Sequence, residues 1–453
     1  MSLSSNSAYA ARPRIWFAVY QLLWHLLLPL AFVRLAWRAR HSIQYLSHLP
    51  ERLGFGYGQA VLQQAIWIHA VSVGETRAAQ PLIEAYLARG EVILLTHMTL
   101  NGRRTGAQLY AQAIASGQVH QVYLPYDLCW SVDHFLKVFQ PKLGLFMETE
   151  AWPTVVFHCA EIGLPLFLVN ARLSERSARR IQRFGKAGQS LFQAFAGILA
   201  QTQFDAQRYR SLGVKNVEII GNLKFDAPLD PVLLMQGKRW KQELQSQHRI
   251  MVCAASTRDG EEAIILKAWK DLLLNGVFPV APLLCLVPRH PERFSEVADQ
   301  INATGFRFRR RSEWADDPKG AENLQVILGD SMGEMPMYYS AADLVVMGGS
   351  LLPFGGQNLI EACAAGCPVL LGEHTYNFQQ AALDALESGA AKRISGDLAL
   401  GEPIALMEAI KSLLLNHDEL KKMALAAKEY SEKHQGATKK LLAALDHQNF
   451  SLR

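Results

Sequence analysis

The stretch IWIHAVSVGETRAAQPLI, residues 66–83, decides the fold class. It opens on an apolar run of strand length, turns at Gly74, and continues from about Glu75 in residues that favour a helix. Runs of the same kind recur at VILLT (92–96), LGLFM (143–147), LFLV (166–169), MVCAAS (251–256), LLCLV (283–287), LVVMGG (344–349) and PVLLG (368–372). Turn residues bound each run, and the intervals between runs are long enough for helices. Strands alternating with helices form parallel sheets covered on both faces, so the sequence predicts an α/β protein of βαβ units. The chain has 453 residues, more than one such domain holds at roughly 100–200 residues each. The expected organisation is an N-terminal segment 1–54, a Rossmann-like domain 55–225, a second 226–430, and a C-terminal helix or tail 431–453. The polar stretch APLDPVLLMQGKRWKQELQSQ (227–247) breaks the strand rhythm and reads as a linker with a helix. Two Rossmann-like domains facing a cleft bind ligands at the carboxyl ends of their strands.

Half the residues are hydrophobic and 19% are charged, with mean hydropathy +0.03, which excludes intrinsic disorder. The net charge of +5 permits anionic partners but is too mild for a nucleic-acid-binding protein. Six cysteines (129, 159, 253, 285, 363 and 367) show no C-x-x-C spacing and read as buried free thiols in a reducing compartment. Cys363 and Cys367, four apart, read as small core residues on one helix. No second ligand pair follows to make a zinc site.

The apolar surplus has one concentrated source. Residues 15–33, IWFAVYQLLWHLLLPLAFV, carry no formal charge, and about 17–25 such residues cross a bilayer as a helix. Gln21, His25 and Pro29 interrupt the run. Arg12 and Arg14 precede it and Arg34, Arg38, Arg40 and Arg52 follow, which places the bulk of the chain on the cytoplasmic side. No small-residue cleavage site follows, so a signal peptide is disfavoured. A single-pass helix and an in-plane, monotopic one both fit.

Candidate chemistry sits where strands end. Glu75 begins a helix at a sheet's carboxyl edge, and Ser72-Val-Gly-Glu75 is equally a capping box, so catalytic and structural readings stand side by side. In LGLFMETEAWP (143–153), Glu148 and Glu150 follow a strand. If the strand continues they point opposite ways, and only one enters the cleft. Lys224 in GNLKFD (221–226) either supplies charge at the domain junction or is a solvated surface lysine. In LVPRHPERF (286–294), Arg289 after Pro288 offers a forked phosphate ligand. In GDSMGEMPMYYSAADLVVMGGSLLPFGGQNLIEACAAGCPVLLG (329–372), Gly355 and Gly356 end a loop, and a helix starting near Gln357 carries Glu361. Backbone donors there would cradle a phosphate, and the carboxylate would take ribose hydroxyls. Neither a P-loop nor a strand-anchored G-x-G-x-x-G occurs; GFGYG (54–58) precedes the first strand and reads as linker. No H-E-x-x-H or D-x-D pair implies a metal. Arg176, Arg179, Arg180 and Arg183 form one basic helical face, suited to solvent or to an anionic lipid headgroup.

SVGET, YLPYD, METEAWP, NARLSERS, GNLKFD, LVPRHPERF, GD-x-MGE and GGQNLIEA, in this order, resemble the 3-deoxy-D-manno-octulosonic acid (Kdo) transferases of lipopolysaccharide biosynthesis. The resemblance runs from the N-terminal anchor to about residue 430. It implies a GT-B glycosyltransferase: two Rossmann-like domains, acceptor on the first, nucleotide sugar on the second. It implies CMP-Kdo as donor substrate, no cofactor or metal, and the tetra-acylated lipid A precursor (lipid IVA) as acceptor. It also implies inversion at the anomeric carbon and work at the cytoplasmic leaflet of the inner membrane. By the same resemblance Glu75 is the catalytic base, and Glu148 and Lys224 stabilise the transition state. Pro288, Arg289, Met332, Gly333, Glu334 and the run Asn358, Leu359, Ile360 and Glu361 match CMP-contacting segments. Asn222 and Gln357 stand where some relatives have Ser and His, and Pro353 interrupts the donor loop. The rival readings are a GT-B enzyme for another nucleotide sugar, such as a UDP-sugar transferase or epimerase, and a non-catalytic membrane-tethered nucleotide-binding module.

Overall fold

The computed structural model describes residues 12–40, 42–57, 64–314, 321–394 and 403–451. The chain divides into two units, one running to Ala227 and resuming at Gln435, the other spanning Pro228–His434. The first holds β1 (Ile66–His69), β2 (Ile93–His97), β3 (Val119–Tyr123), β4 (Leu143–Met147), β5 (Leu166–Ala171), β6 (Gly197–Ala200) and β7 (Val217–Ile219). All pairings are parallel and the strand order is β3-β2-β1-β4-β5-β6-β7. Ile66 and Ile68 pack into one core cluster and Trp67 into another, so both faces of the sheet are covered. That double burial is why these strands read as unbroken apolar runs.

The strand order reverses between β1 and β4, and connections leaving such a pair diverge, opening a crevice at the carboxyl edge. The helix Ala437–Ser451 completes this unit, its Leu441 and Leu445 buried in the cluster of Ile66 and Ile68. Asp226 fastens its start by accepting the N–H groups of Gly436 and Thr438, both at 2.6 Å. The sequence set residues 431–453 apart as a tail, whereas the segment from Gln435 belongs to the first unit.

The second unit holds β8 (Met251–Thr257), β9 (Leu283–Pro288), β10 (Phe308–Arg310), β11 (Val326–Leu328), β12 (Leu344–Met347), β13 (Val369–Leu371) and β14 (Ala391–Arg393). Its order is β10-β11-β9-β8-β12-β13-β14, again all parallel, with the reversal between β8 and β12. The stretch expected as a linker with a helix holds the helix Pro231–Ser246, which packs into the second unit and is capped by Asp230 through the N–H of Val232 at 2.8 Å. Gly237, Trp240 and Leu244 bury one face of it. A Cβ on Gly237 would stand 2.2 Å from the Met337 carbonyl oxygen, so the approach requires glycine.

The N-terminal apolar run forms the helix Arg14–Ala39, with Pro29 inside it. All six cysteines are free and all but Cys129 are buried. Cys363 lies in the helix Ile360–Ala364 and Cys367 beyond its end, so the two do not share a helix face as expected.

Candidate active site

Glu75 belongs to the helix Val73–Ala78, which leaves the end of β1 at the first reversal point. Ser72 caps that helix, its Oγ accepting the Glu75 N–H at 3.4 Å. The Glu75 carboxylate accepts the Ser72 hydroxyl at 3.0 Å and the Val71 N–H at 2.7 Å. The capping interaction is therefore present, reaching one residue further back than the usual box. Burial first, then the neighbouring Glu148 charge, raise the Glu75 pKa to about 7; the Val71 bond opposes this and Glu150 reinforces it. A carboxylate poised near neutrality suits proton abstraction.

Two histidines lie under this loop. His97 Nδ1 donates to the Ala70 carbonyl at 2.8 Å, leaving Nε2 to accept the Gln121 amide at 2.9 Å. His69 Nδ1 meets the Thr96 hydroxyl at 2.9 Å. Burial lowers their pKa values to about 3 for His69 and about 4 for His97, so both are neutral. Thr99 donates its hydroxyl to the Val71 carbonyl at 2.8 Å. Val71 is thus gripped at both ends, by Thr99 and by Glu75. The sequence reading missed this support; its signal was the polar Thr-His closing an otherwise apolar β2.

At β4 the pleat stops. Glu148 has φ 56°, the left-handed region that few non-glycine residues enter, so strand alternation does not govern the two acids. Glu148 is 6% exposed; it meets Lys224 Nζ at 2.6 Å and Arg172 Nε at 3.1 Å. Burial pushes its pKa up, but Lys224 and Arg172 outweigh burial and hold it below the ordinary carboxylate value. Glu150 accepts the Trp152 indole N–H at 2.9 Å, and burial raises its pKa. The charges of both acids raise the Glu75 pKa, Glu148 more than Glu150.

Lys224 is not a solvated lysine, its side chain being 16% exposed and paired with Glu148. It sits in the turn Leu223–Phe225, held by Asn222 Oδ1 on its own N–H at 3.1 Å and by Asn170 Oδ1 on the Leu223 N–H at 3.0 Å. Asn170, also left-handed at φ 50°, is the last residue but one of β5, two before Arg172. Neither was singled out from the sequence; asparagine at a strand end was the clue, since it tolerates this conformation. Arg176, Arg179, Arg180 and Arg183 follow on the exposed face of the helix Glu175–Arg183, with Arg179 paired to Glu175.

On the second unit, the loops flanking the reversal are tied by a residue the sequence reading passed over. Glu261, fully buried, accepts the N–H groups of Arg258 (2.8 Å), Gly349 (2.7 Å), Leu351 (3.0 Å) and Leu352 (3.3 Å). Gly348 passes so close that a Cβ would lie 2.4 Å from the Ser256 carbonyl oxygen. Pro288 ends β9, and Arg289 after it is exposed and makes no ion pair among the described residues. Arg293 nearby is spent on Glu262 (2.7 Å) and Glu296 (2.9 Å). Burial, and then Arg258, lower the His290 pKa; Arg289 and Arg293 add to this, as a local excess of positive charge would.

Met332 is exposed and Gly333 has φ 86°. Glu334 is committed to protein partners, the Ser331 hydroxyl and Arg311 (2.9 Å), and so shapes its own loop. Gly355 and Gly356 take φ 92° and 80°. The helix after them begins at Ile360 rather than near Gln357 and lasts five residues. Asn358 Oδ1 accepts the Ile360 N–H at 3.2 Å and its amide donates to Glu361 at 3.0 Å. Leu359 and Ile360 are buried, and the Leu359 carbonyl accepts the Cys363 N–H at 3.0 Å. This short helix supplies less dipole than expected. Among the described residues no group of three or more His, Cys, Asp or Glu is placed to hold a metal.

Residues 47–227 match the family model for 3-deoxy-D-manno-octulosonic-acid transferase. The chain is 42% identical over 434 residues to the 3-deoxy-D-manno-octulosonic acid transferase of Bordetella pertussis, covering 94% of this chain and 98% of that protein. The chain belongs to the Kdo transferase family. The Haemophilus influenzae Kdo transferase is 36% identical over 436 residues, covering 95% of this chain and 98% of its own length. Anabaena HepE, solved with UDP and glucose, matches 85% of this chain and all of its own at 15% identity and TM-score 0.56, a likeness of fold. The two doubly wound units are those of a GT-B glycosyltransferase, and the family's reaction is transfer of a Kdo group.

Proposed function

We propose that the chain transfers Kdo from CMP-Kdo to the lipid A precursor lipid IVA, with inversion at the anomeric carbon and without a metal, at the cytoplasmic face of the inner membrane. The observation that carries this reading is Glu75, raised to about 7 at the first sheet's reversal point beside a braced Glu148. Glu75 takes the proton of the acceptor hydroxyl as its oxygen bonds to the anomeric carbon. The bond from that carbon to the phosphate oxygen breaks, and its electron pair leaves with CMP. Glu148 acts in its charged form, kept so by Lys224 and Arg172, and faces a sugar that turns oxocarbenium-like. Arg289, which has no ion-pair partner among the described residues, is the cation for the departing phosphate. Fixed charges of this kind usually supply the largest catalytic share. The basic face from Arg176 to Arg183 suits the phosphates of a lipid headgroup.

The test is transfer by purified protein of Kdo from CMP-Kdo, generated in situ, to lipid IVA with a chelator present, and the anomeric configuration of the product read by NMR. Inverted product at an undiminished rate is expected. Transfer only from a UDP-sugar, or loss of activity on chelation, contradicts the donor or the metal-free reading respectively. CMP binding without turnover with any donor would make the chain a binding module.

A further inference from the structure

The helix Arg14–Ala39 lies along the first unit instead of projecting from it. Arg12 pairs with Glu161 at 3.4 Å, Phe17 packs edge-on to Phe157, Gln21 donates to the Thr154 hydroxyl at 2.7 Å, and Trp24 lies against Trp152. As the first partners advance, the second retreat, so the helix runs antiparallel beside Pro153–Ile162. Tyr20 donates to the Asp127 carboxylate at 2.7 Å; Gln21 also donates to the Asp127 carbonyl at 3.0 Å and accepts the Cys129 N–H at 3.0 Å. Further along, Phe32 packs on Tyr126 and Leu35 is buried. Phe17, Tyr20, Gln21, Trp24, Phe32 and Leu35 share one helical face.

The opposite face is apolar and uncovered. Leu22, Leu26 and Leu30 are 60–64% exposed, and Leu23, Leu27 and Val33 join them at helical spacing. Exposed Arg14, Arg34 and Arg40 and half-covered Trp37 frame that face. The first 50 residues hold five arginines and no acid, a charge pattern complementary to anionic lipid.

We propose that this helix binds the bilayer in the plane of its interface, leucine face toward the acyl chains and both ends on the side of the catalytic body. If it spanned the membrane, its partners Asp127 and Glu161 would enter hydrocarbon with it, a placement that ionisable groups resist. In the plane, those groups stay on the aqueous side while the leucines are buried. The composition is thus explained twice over: one apolar face for the protein, one for lipid.

This placement rests on the membrane localisation proposed above. The test uses the full chain in a Cys129→Ser background, the other native cysteines being buried. Single cysteines at Val19, Leu26 and Val33 carry an environment-sensitive fluorophore, and depth-dependent quenching is read in vesicles of phosphatidylethanolamine and phosphatidylglycerol. All three should lie at one shallow depth, about 5–10 Å below the headgroups. An N-terminal tag should be cleaved by protease added to inverted membrane vesicles and spared in sealed spheroplasts. Leu26 at the bilayer centre, with Val19 and Val33 about 21 Å apart across it at 1.5 Å per residue, and a tag cleaved only in spheroplasts, would overturn the in-plane placement alone. Failure to bind protein-free vesicles would overturn membrane binding itself and leave the face to a protein partner. L26D/L30D, whose sites are exposed, should weaken vesicle binding at least about tenfold without changing the melting temperature; unchanged binding would also overturn the proposal.

Discussion

Glu148 shows how one backbone conformation sets a site's electrostatics. Its left-handed φ turns the side chain out of the pleat and between Lys224 and Arg172, so its charge persists despite burial and bears on Glu75. Replacing Glu148 by Gln removes that charge, which is the second-largest cause raising Glu75. The acid limb of kcat/KM should then move below pH 7, and a pH profile of E148Q reads it. The same change leaves Lys224 and Arg172 without their carboxylate, so a loss of about 3–5 kcal/mol in stability is expected by urea unfolding, as for buried pairs that lose one partner. The residue types at this site were legible in SVGE, METE and GNLKFD. The left-handed turn at Glu148 was not, because nothing in an apolar strand followed by two acids announces where pleating stops. Arg172 and Asn170 escaped for the same reason, their roles arising from neighbours distant in sequence.

At the scale of elements, the eight apolar runs quoted from the sequence are β1, β2, β4, β5, β8, β9, β12 and β13. The strands not foreseen are β3, β6, β7, β10, β11 and β14. Four of these are sheet edges, where one side lacks a partner strand and polar residues such as His120, Glu218, Arg309 and Lys392 are tolerated. The helix Pro231–Ser246 is legible within its polar stretch, but its place in the core of the second unit is not, because its buried residues, Gly237, Trp240 and Leu244, are few among polar ones. Glu261 is the element-scale counterpart of Glu148, one carboxylate holding the loops after β8 and β12. Glu261→Ala strands several buried N–H groups, and at about 1–3 kcal/mol for each unsatisfied group it should destabilise strongly. Glu261→Gln, which keeps an acceptor, should cost less. Urea unfolding distinguishes the two, and equal losses would contradict the loop-tying role.

For the whole molecule, the buried histidines predict an acid sensitivity. Their folded-state pKa values, about 3 for His69 and about 4 for His97, lie below the ordinary 6.5 or so, so the unfolded chain binds protons first as pH falls. Stability is complete above pH 6.5 and declines from there toward pH 4, by about 1.4 kcal/mol per unit for each histidine. His69→Gln should reduce the slope of unfolding free energy against pH between 6 and 4.5 by about one proton's worth. An unchanged slope would show that His69 is not held neutral. At this scale the sequence disclosed two α/β domains and an apolar N-terminal helix. It did not disclose that the chain's last helix completes the first unit, since that return is fixed by Asp226 meeting backbone N–H groups two hundred residues later.

The most direct test of the catalytic role is the single-turnover rate of Kdo transfer against pH for wild type and Glu75→Gln, which preserves the side chain's size and its acceptor for the Val71 N–H. Wild type should gain activity through pH about 7. The variant should lose that limb and about 10²–10⁴ of the rate, with its melting temperature little changed. A Glu75→Gln protein that keeps the wild-type rate and the rising limb would reduce Glu75 to a helix cap.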